Sequence, residues 1–412
     1  MKVFIVATPL FDAAMAVMAY RLCDRSGENA IGIHNDFRRM REVFSAPGLD
    51  LIEQLGLETF AGDKPLFANI NHYQLLVGRP ANVNINPQKL VCILPASIPA
   101  DEKVLDRCRR LKDLGYGLAL EGLPKETEDN PLIPLLDYLI LDYLDPGFSG
   151  WYFTARTELT GLKLVFPNVP DGESYQRLAA RNPQGLFTGG FYKNPITEGN
   201  TKLSPVKINA LQLLNRINSE DFELDDVVKI IERDPYLTIS LLRFINSGAV
   251  GLKRKVDSIR NAVAILGQKE IKRWATIAIS ISLAEDRPGE ITKLTLMRAK
   301  FAEGLATAFS LGLFRSSLFM LGLFSLLDVI LQKPMEEALK EVAVEERVRR
   351  ALIQKEGNLY TILDFIYTYE RADWDKCSII MIQNDVKFEA VSRAFLEATL
   401  WYHQLLSTLD QP

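Results

Sequence analysis

Strand-like runs recur in this chain up to about Lys193 and then stop, and nothing downstream restores them. That switch constrains the fold more than any other feature. Short apolar runs at 3–7, 66–70, 90–94, 117–120, 138–141 and 162–166 alternate with helical or turn-rich pieces. Residues 107–115 read as a helix closed by Gly115, with the run 117–120 following at once. Alternation of this kind predicts parallel strands covered by helices. We expect an α/β domain of the (β/α) barrel type, with some elements abbreviated because the segment is short for a full barrel. The polar stretch from Asn194 and Pro195 to Ser204 and Pro205 marks a junction. The expected domains are 1–195 and 200–412, the second all-helical, and 412 residues suffice for two cores.

The helical half is best defined at residues 234–248. Asp234 suits an N-cap and Pro235 the first helical position, where its missing N–H costs nothing. Leu237, Leu241, Phe244 and Ile245 fall on one face, and Gly248 can end the helix in a left-handed turn. A basic loop, Lys253, Arg254 and Lys255, precedes a second helix over 258–267. A third begins near Gln268 and turns Ile271, Trp274, Ala275 and Ala278 inward. Residues 297–311 predict another helix with Phe301, Leu305 and Ala308 inward, Pro334 starts one more, and 388–409 form an amphipathic tail.

A net charge of −4 gives no global electrostatic case for nucleic acid or an anionic membrane. Cys23, Cys92, Cys108 and Cys377 show no paired spacing, which argues for a reducing cytoplasm and against a disulfide scaffold or zinc site. No charged leader precedes the first apolar run, so no signal peptide is expected. The most apolar run, 318–331, is short for a bilayer span and contains Ser325 and Asp328; a buried central helix is expected there. Gly189 and Gly190 lack a P-loop lysine and read as a tight turn. Cys92 has no histidine near it in sequence and reads as a buried apolar thiol. Lys253, Arg254, Lys255, Arg260, Lys269, Lys272 and Arg273 are weighed as a basic patch, with a solvated face, interspersed with Asp257 and Glu270, preferred.

Residues 233–237, 241–247 and 258–267 resemble the HD-related output domain, HDOD, and residues 322–328 resemble bacterial proteins that join a degenerate EAL domain to an HDOD domain. The resemblance covers nearly the whole chain. EAL-type cyclic di-GMP phosphodiesterases hold two divalent cations with converging carboxylates. Their Glu-x-Leu-x-Arg signature aligns with residues 21–25, so Arg21 replaces the metal-binding glutamate while Arg25 is retained. The Phe-x-Asn strand end survives at Phe67 and Asn69. Glu-Ile-Leu-Glu has become Cys92 to Pro95, and Asp-Asp-Phe has become Glu121, Gly122 and Leu123. Lys-Val-Asp has become Ile140, Leu141 and Asp142; the late glutamate falls at Pro170, and the glutamine-glycine pair at Thr188 and Gly189.

The remnants that the resemblance implies for ligand contact are therefore Arg25, Asn69, Glu121 and Asp142. They leave too few anionic oxygens for a hard cation. HD hydrolases need several histidines, but this chain has His34, His72 and His403 alone, and Ser325 and Leu326 stand where His-Asp would. No catalytic residue, metal or cofactor is expected. The function implied is non-catalytic signalling or scaffolding by contact with an unidentified signalling protein. Alternatives are a cyclic di-GMP receptor without hydrolysis and, behind it, a residual phosphodiesterase. Arg243, Asn246, Lys253, Arg254 and Lys255 are the candidate interaction edge. Partner identity and oligomeric state are not legible.

Overall fold

The computed structural model describes residues 4–24, 47–81, 85–123, 130–194, 203–219, 223–233, 235–246 and 256–409. The chain divides into two compact units, Met1–Asn194 with Tyr369–Lys376, and Pro195–Thr368 with Cys377–Pro412.

The first unit is a closed barrel of eight strands in sequence order. They are β1 (Ile5–Phe11), β2 (Val17–Asp24), β3 (Leu66–Asn69), β4 (Leu90–Pro95), β5 (Gly117–Glu121), β6 (Tyr138–Ile140), β7 (Lys163–Val169) and β8 (Leu186–Gly189). The expectation of uniformly parallel strands needs correction at β1, which runs antiparallel to both β2 and β8. The cause is local. Residues 12–16 form a tight hairpin in which the Asp12 carboxylate accepts from the Ala14 and Ala16 amides, and Met15 takes φ +66°. A connection this short permits only antiparallel neighbours. From β2 to β8 each strand is parallel to the next. β2, absent from the sequence expectation, begins with Val17, Met18 and Ala19 and carries polar residues towards its end, so it has no clean apolar run.

Between strands the helices Glu102–Asp113 and Gly172–Arg181 are capped by Asp101 and Asp171, whose carboxylates accept from Val104 and Ser174 amides. Tyr369–Lys376 completes this unit from far along the chain. Tyr369 donates its hydroxyl to the Ile5 carbonyl and accepts from the Ile5 amide, at 3.1 and 3.2 Å. Trp374 donates from Nε1 to the Asp24 carbonyl and stacks on Phe4. Lys193 and Glu370 form an ion pair at 3.2 Å.

The second unit is helical throughout its described residues. Pro235–Asn246 is helical as expected, with Leu237, Leu241 and Ile245 buried; Asp234 and Gly248 lie outside the described residues. The second and third expected helices meet at Gly267, whose φ of 74° and ψ of 167° break the helical path within Ile259–Leu283. Ile271, Trp274, Ala275 and Ala278 are buried. The long helix runs Gly289–Leu305 rather than 297–311: the chain turns after Leu305, Phe301 and Leu305 are buried, and Ala308 is half-exposed. It packs against Arg315–Leu323 and Phe388–Leu409. Gly322 makes the first contact close: a Cβ there would lie 2.5 Å from the Arg298 carbonyl. Gly312–Leu331 is long and apolar enough to cross a membrane by length and composition, yet 72% of its most apolar 18-residue window is buried in the fold.

Candidate functional site at the mouth of the barrel

Leu10, Ala19, Phe67, Val91, Ile93, Ala119, Ile140 and Val165 fill the barrel interior, with Tyr138 and Leu186 packed on them. Strand side chains alternate, so the residue two places further towards the C-terminal end faces the same way. That step leads from Ala19 to Arg21, from Phe67 to Asn69 and from Ile93 to Pro95. It also leads from Ala119 to Glu121, from Ile140 to Asp142 and from Leu186 to Thr188. One side chain from each of these strands thus rings the end of the barrel where function concentrates in this architecture.

Arg21 and Glu121 close that ring. Arg21 Nη2 donates to Glu121 Oε1 at 2.5 Å, bridging β2 and β5, which do not pair. The arginine side chain is 12% exposed and the glutamate 40%. Burial opposes the Arg21 charge, but Glu121, Cys23 and Asp142 outweigh it and hold its pKa above the usual value. Arg21 Nε is buried and has no hydrogen-bond partner among the described residues. Burial pushes the neighbouring Cys23 thiol up, against the pull of Arg21.

Asp142 is occupied as well. Its Oδ2 accepts from Asn168 Nδ2 at 2.8 Å and its Oδ1 from the Leu144 amide at 2.9 Å. Asn168 sits at φ +59° where the β7–β8 register shifts, a conformation that asparagine tolerates better than most residues. Asn69 is exposed at the end of β3, and Arg25 lies outside the described residues. The structure therefore brings Arg21, Glu121 and Asp142 together and leaves Asn69 at the rim. Sequence reasoning identified Arg21 as a charge reversal and counted Glu121 as a free oxygen donor. It missed that the two pair, and it missed Asn168. The signal was available in part, since Arg21 and Glu121 are opposite charges at aligned strand ends.

These residues do not fit a pair of divalent cations. A hard cation needs several anionic oxygens directed at one point, but Glu121 is held by a buried guanidinium and both Asp142 oxygens are engaged. Among the described residues no group of three or more histidine, cysteine, aspartate or glutamate side chains is arranged to hold a metal. Cys92 is fully buried, and burial drives its thiol pKa far up, so it offers no thiolate.

In the helical unit, Ser325 donates to the Gly322 carbonyl at 2.7 Å and accepts from Arg298 Nη1 at 3.0 Å. Both side chains are buried, and the Arg298 guanidinium lies 4.6 Å from the Tyr367 ring centroid. These contacts form a buried structural network. Arg273, weighed in sequence as part of a basic patch, instead makes a bidentate pair with Glu303 at 2.6 and 2.9 Å. Of the candidate interaction edge, Lys253, Arg254 and Lys255 lie outside the described residues and Arg243 is half-buried. Asn246 donates to the Leu242 and Val256 carbonyls and accepts from the Val256 amide, each at 2.7 Å. Its amide ties the end of the helix Pro235–Asn246 to Val256.

The HDOD domain family model matches residues 203–360. The chain is 29% identical to the uncharacterized protein YuxH of Bacillus subtilis (strain 168), over 98% of this chain and 99% of that protein. It is 24% identical to the cyclic di-GMP phosphodiesterase CdgJ of Vibrio cholerae, over 97% of this chain and 92% of that protein. Among solved structures, an EAL domain protein from Listeria monocytogenes EGD-e is similar with a TM-score of 0.34 and 18% identity, covering 47% of this chain and 88% of that one. The chain is a closed eight-stranded barrel followed by a helical region that contains an HDOD domain.

Proposed function

We propose that this chain is a cytoplasmic, non-catalytic regulator within cyclic di-GMP signalling, acting through contacts with other signalling proteins. Similarity to CdgJ, named as a cyclic di-GMP phosphodiesterase, links the chain to that signalling class. The Arg21–Glu121 pair carries the claim of inactivity, because it sets a cation and a neutralised carboxylate where a hydrolase would direct metal-binding oxygens. The degenerate reading of the EAL-like motifs agrees with it. The four cysteines are all free, consistent with a reducing compartment. The domain division 1–195 and 200–412 belongs to the same proposal, with Tyr369–Lys376 added to the barrel. Cyclic di-GMP should bind weakly or not at all, since no metal ions would help neutralise its phosphates.

Purified intact chain incubated with cyclic di-GMP and magnesium or manganese tests the proposal. No linear product is expected. Metal-dependent turnover that disappears in Glu121→Ala would overturn it and restore the enzyme reading.

A further inference from the structure

The antiparallel strand β1 has an unusual neighbour at its first residue. β1 pairs with β2 from Ile5 and Asp24 onward, but among the described residues it is in register with β8 only at Phe11 and Phe187, the far end from Ile5. Ile5 is buried, so backbone groups there that no strand takes need another partner. The Tyr369 hydroxyl is that partner, accepting from the Ile5 amide and donating to the Ile5 carbonyl. Trp374 donates to the Asp24 carbonyl at 3.3 Å, so one short segment finishes both residues of this rung. Phe4, Tyr369 and Trp374 pack ring on ring with centroids 5.2–5.6 Å apart, and Glu370 pairs with Lys193.

This rung lies at the barrel mouth. β2 ends there, and Arg21 stands three residues before Asp24, opposite Thr8, whose hydroxyl donates to the Arg21 carbonyl. The segment that finishes the rung is stiff. Tyr369 and Glu370 end the helix Asn358–Glu370, which carries the buried Phe365 and Ile366 one turn earlier on the face of Tyr369. Residues 371–373 turn the chain, with Ala372 at φ +55°, and Trp374 opens the helix Trp374–Gln383. A helix moves as a rod, so a shift at Ile366 carries the Tyr369 hydroxyl with it. Hydrogen bonds weaken steeply once they are misaligned, so a small displacement is enough to release Ile5.

We propose that Tyr369–Lys376 is a latch: it holds the Ile5–Asp24 rung closed, and displacement of the helix that carries it loosens the strand presenting Arg21 at the barrel mouth. That role rests on the reading of the mouth as a regulatory rather than a catalytic end. It supplies the mechanical link by which the helical part of the chain acts on Arg21 and Glu121.

Hydrogen exchange of the intact chain, followed by mass spectrometry, tests the latch. Tyr369→Phe keeps the ring and removes both hydrogen bonds to Ile5. Peptides over 5–11 and 17–24 should then exchange about tenfold faster or more, the factor expected when a buried amide and carbonyl lose their partner. Peptides over 90–95, 117–121 and 388–409 should be unchanged. Trp374→Phe removes the Nε1 donor, leaves the Tyr369 bonds in place and should also loosen 17–24. Ile366→Val, outside the latch, should speed exchange over 17–24 and should add little in the Tyr369→Phe background, where transmission is already cut. Circular dichroism should show each variant folded. Unchanged exchange over 17–24 in both latch variants, or equal acceleration in every segment, would overturn the latch. So would an Ile366→Val effect on 17–24 that is absent, or that Tyr369→Phe leaves undiminished. Cyclic di-GMP turnover by the same preparation would remove the proposed function without moving any exchange rate, so the two failures are told apart.

Discussion

Arg21 on β2 and Glu121 on β5 meet at 2.5 Å across the mouth of the barrel, between strands that share no hydrogen bonds. The pair ties opposite sides of the ring, and the arginine is the more buried partner. Glu121→Gln removes the countercharge and leaves a mostly buried guanidinium without it. We expect a loss of about 1–3 kcal/mol, read as a lower urea midpoint with an unchanged slope. Arg21→Leu/Glu121→Leu should recover part of that loss, since an apolar pair leaves no uncompensated charge.

Leu241 is fully buried on the helix Pro235–Asn246. Leu241→Ala should cost about 2–5 kcal/mol through lost burial and the residual cavity. An unchanged denaturant midpoint would show that this face packs on nothing.

Gly322 lets the helix Arg315–Leu323 approach the backbone of Gly289–Leu305, where an added Cβ would lie 2.5 Å from the backbone of Arg298 and Ala299. Backbone cannot swing aside as a side chain can. Gly322→Ala should therefore destabilise by about 3 kcal/mol, at the upper end of overpacking costs. Thermal unfolding of the two proteins measures it.

Glu303 is pressed by burial towards its neutral form, but hydrogen bonds and charge from Arg273, then Lys300, outweigh burial and lower its pKa. A carboxylate with a depressed folded pKa stabilises the fold above its unfolded value and loses that contribution as pH falls through the folded value. Stability should thus drop in acid, starting from the ordinary glutamate range near about 4.3 and continuing below it. Glu303→Gln should be less stable near neutrality and show a flatter acid limb in denaturant midpoints taken across pH.

Much of this architecture was legible because its signals are local. The runs at 90–94 and 117–120 became β4 and β5 with one residue added to each, and 388–409 became the helix Phe388–Leu409. Gly267 separates two helical paths at the place where the second expected helix ended and the third began. β2 was hidden because Arg21 and Asp24 interrupt its apolar pattern, and the antiparallel β1 followed from a hairpin whose turn lacks glycine. The contribution of Tyr369 and Trp374 to the barrel unit joins residues about 350 positions or more apart and leaves no local trace. At the site, Arg21 was recognised by its departure from a motif. Its pairing with Glu121 depends on barrel closure, and the hold on Asp142 depends on the β7 irregularity that turns Asn168 towards it.

Manganese binding reports on the donor set at the barrel mouth. Titrating Mn²⁺ into the intact chain, with free ion followed by electron paramagnetic resonance, should show no stoichiometric site, and Glu121→Ala should give the same curve. A stoichiometric Mn²⁺ site in the intact chain that vanishes in Glu121→Ala would show that Glu121 serves a metal rather than Arg21, and would contradict the account.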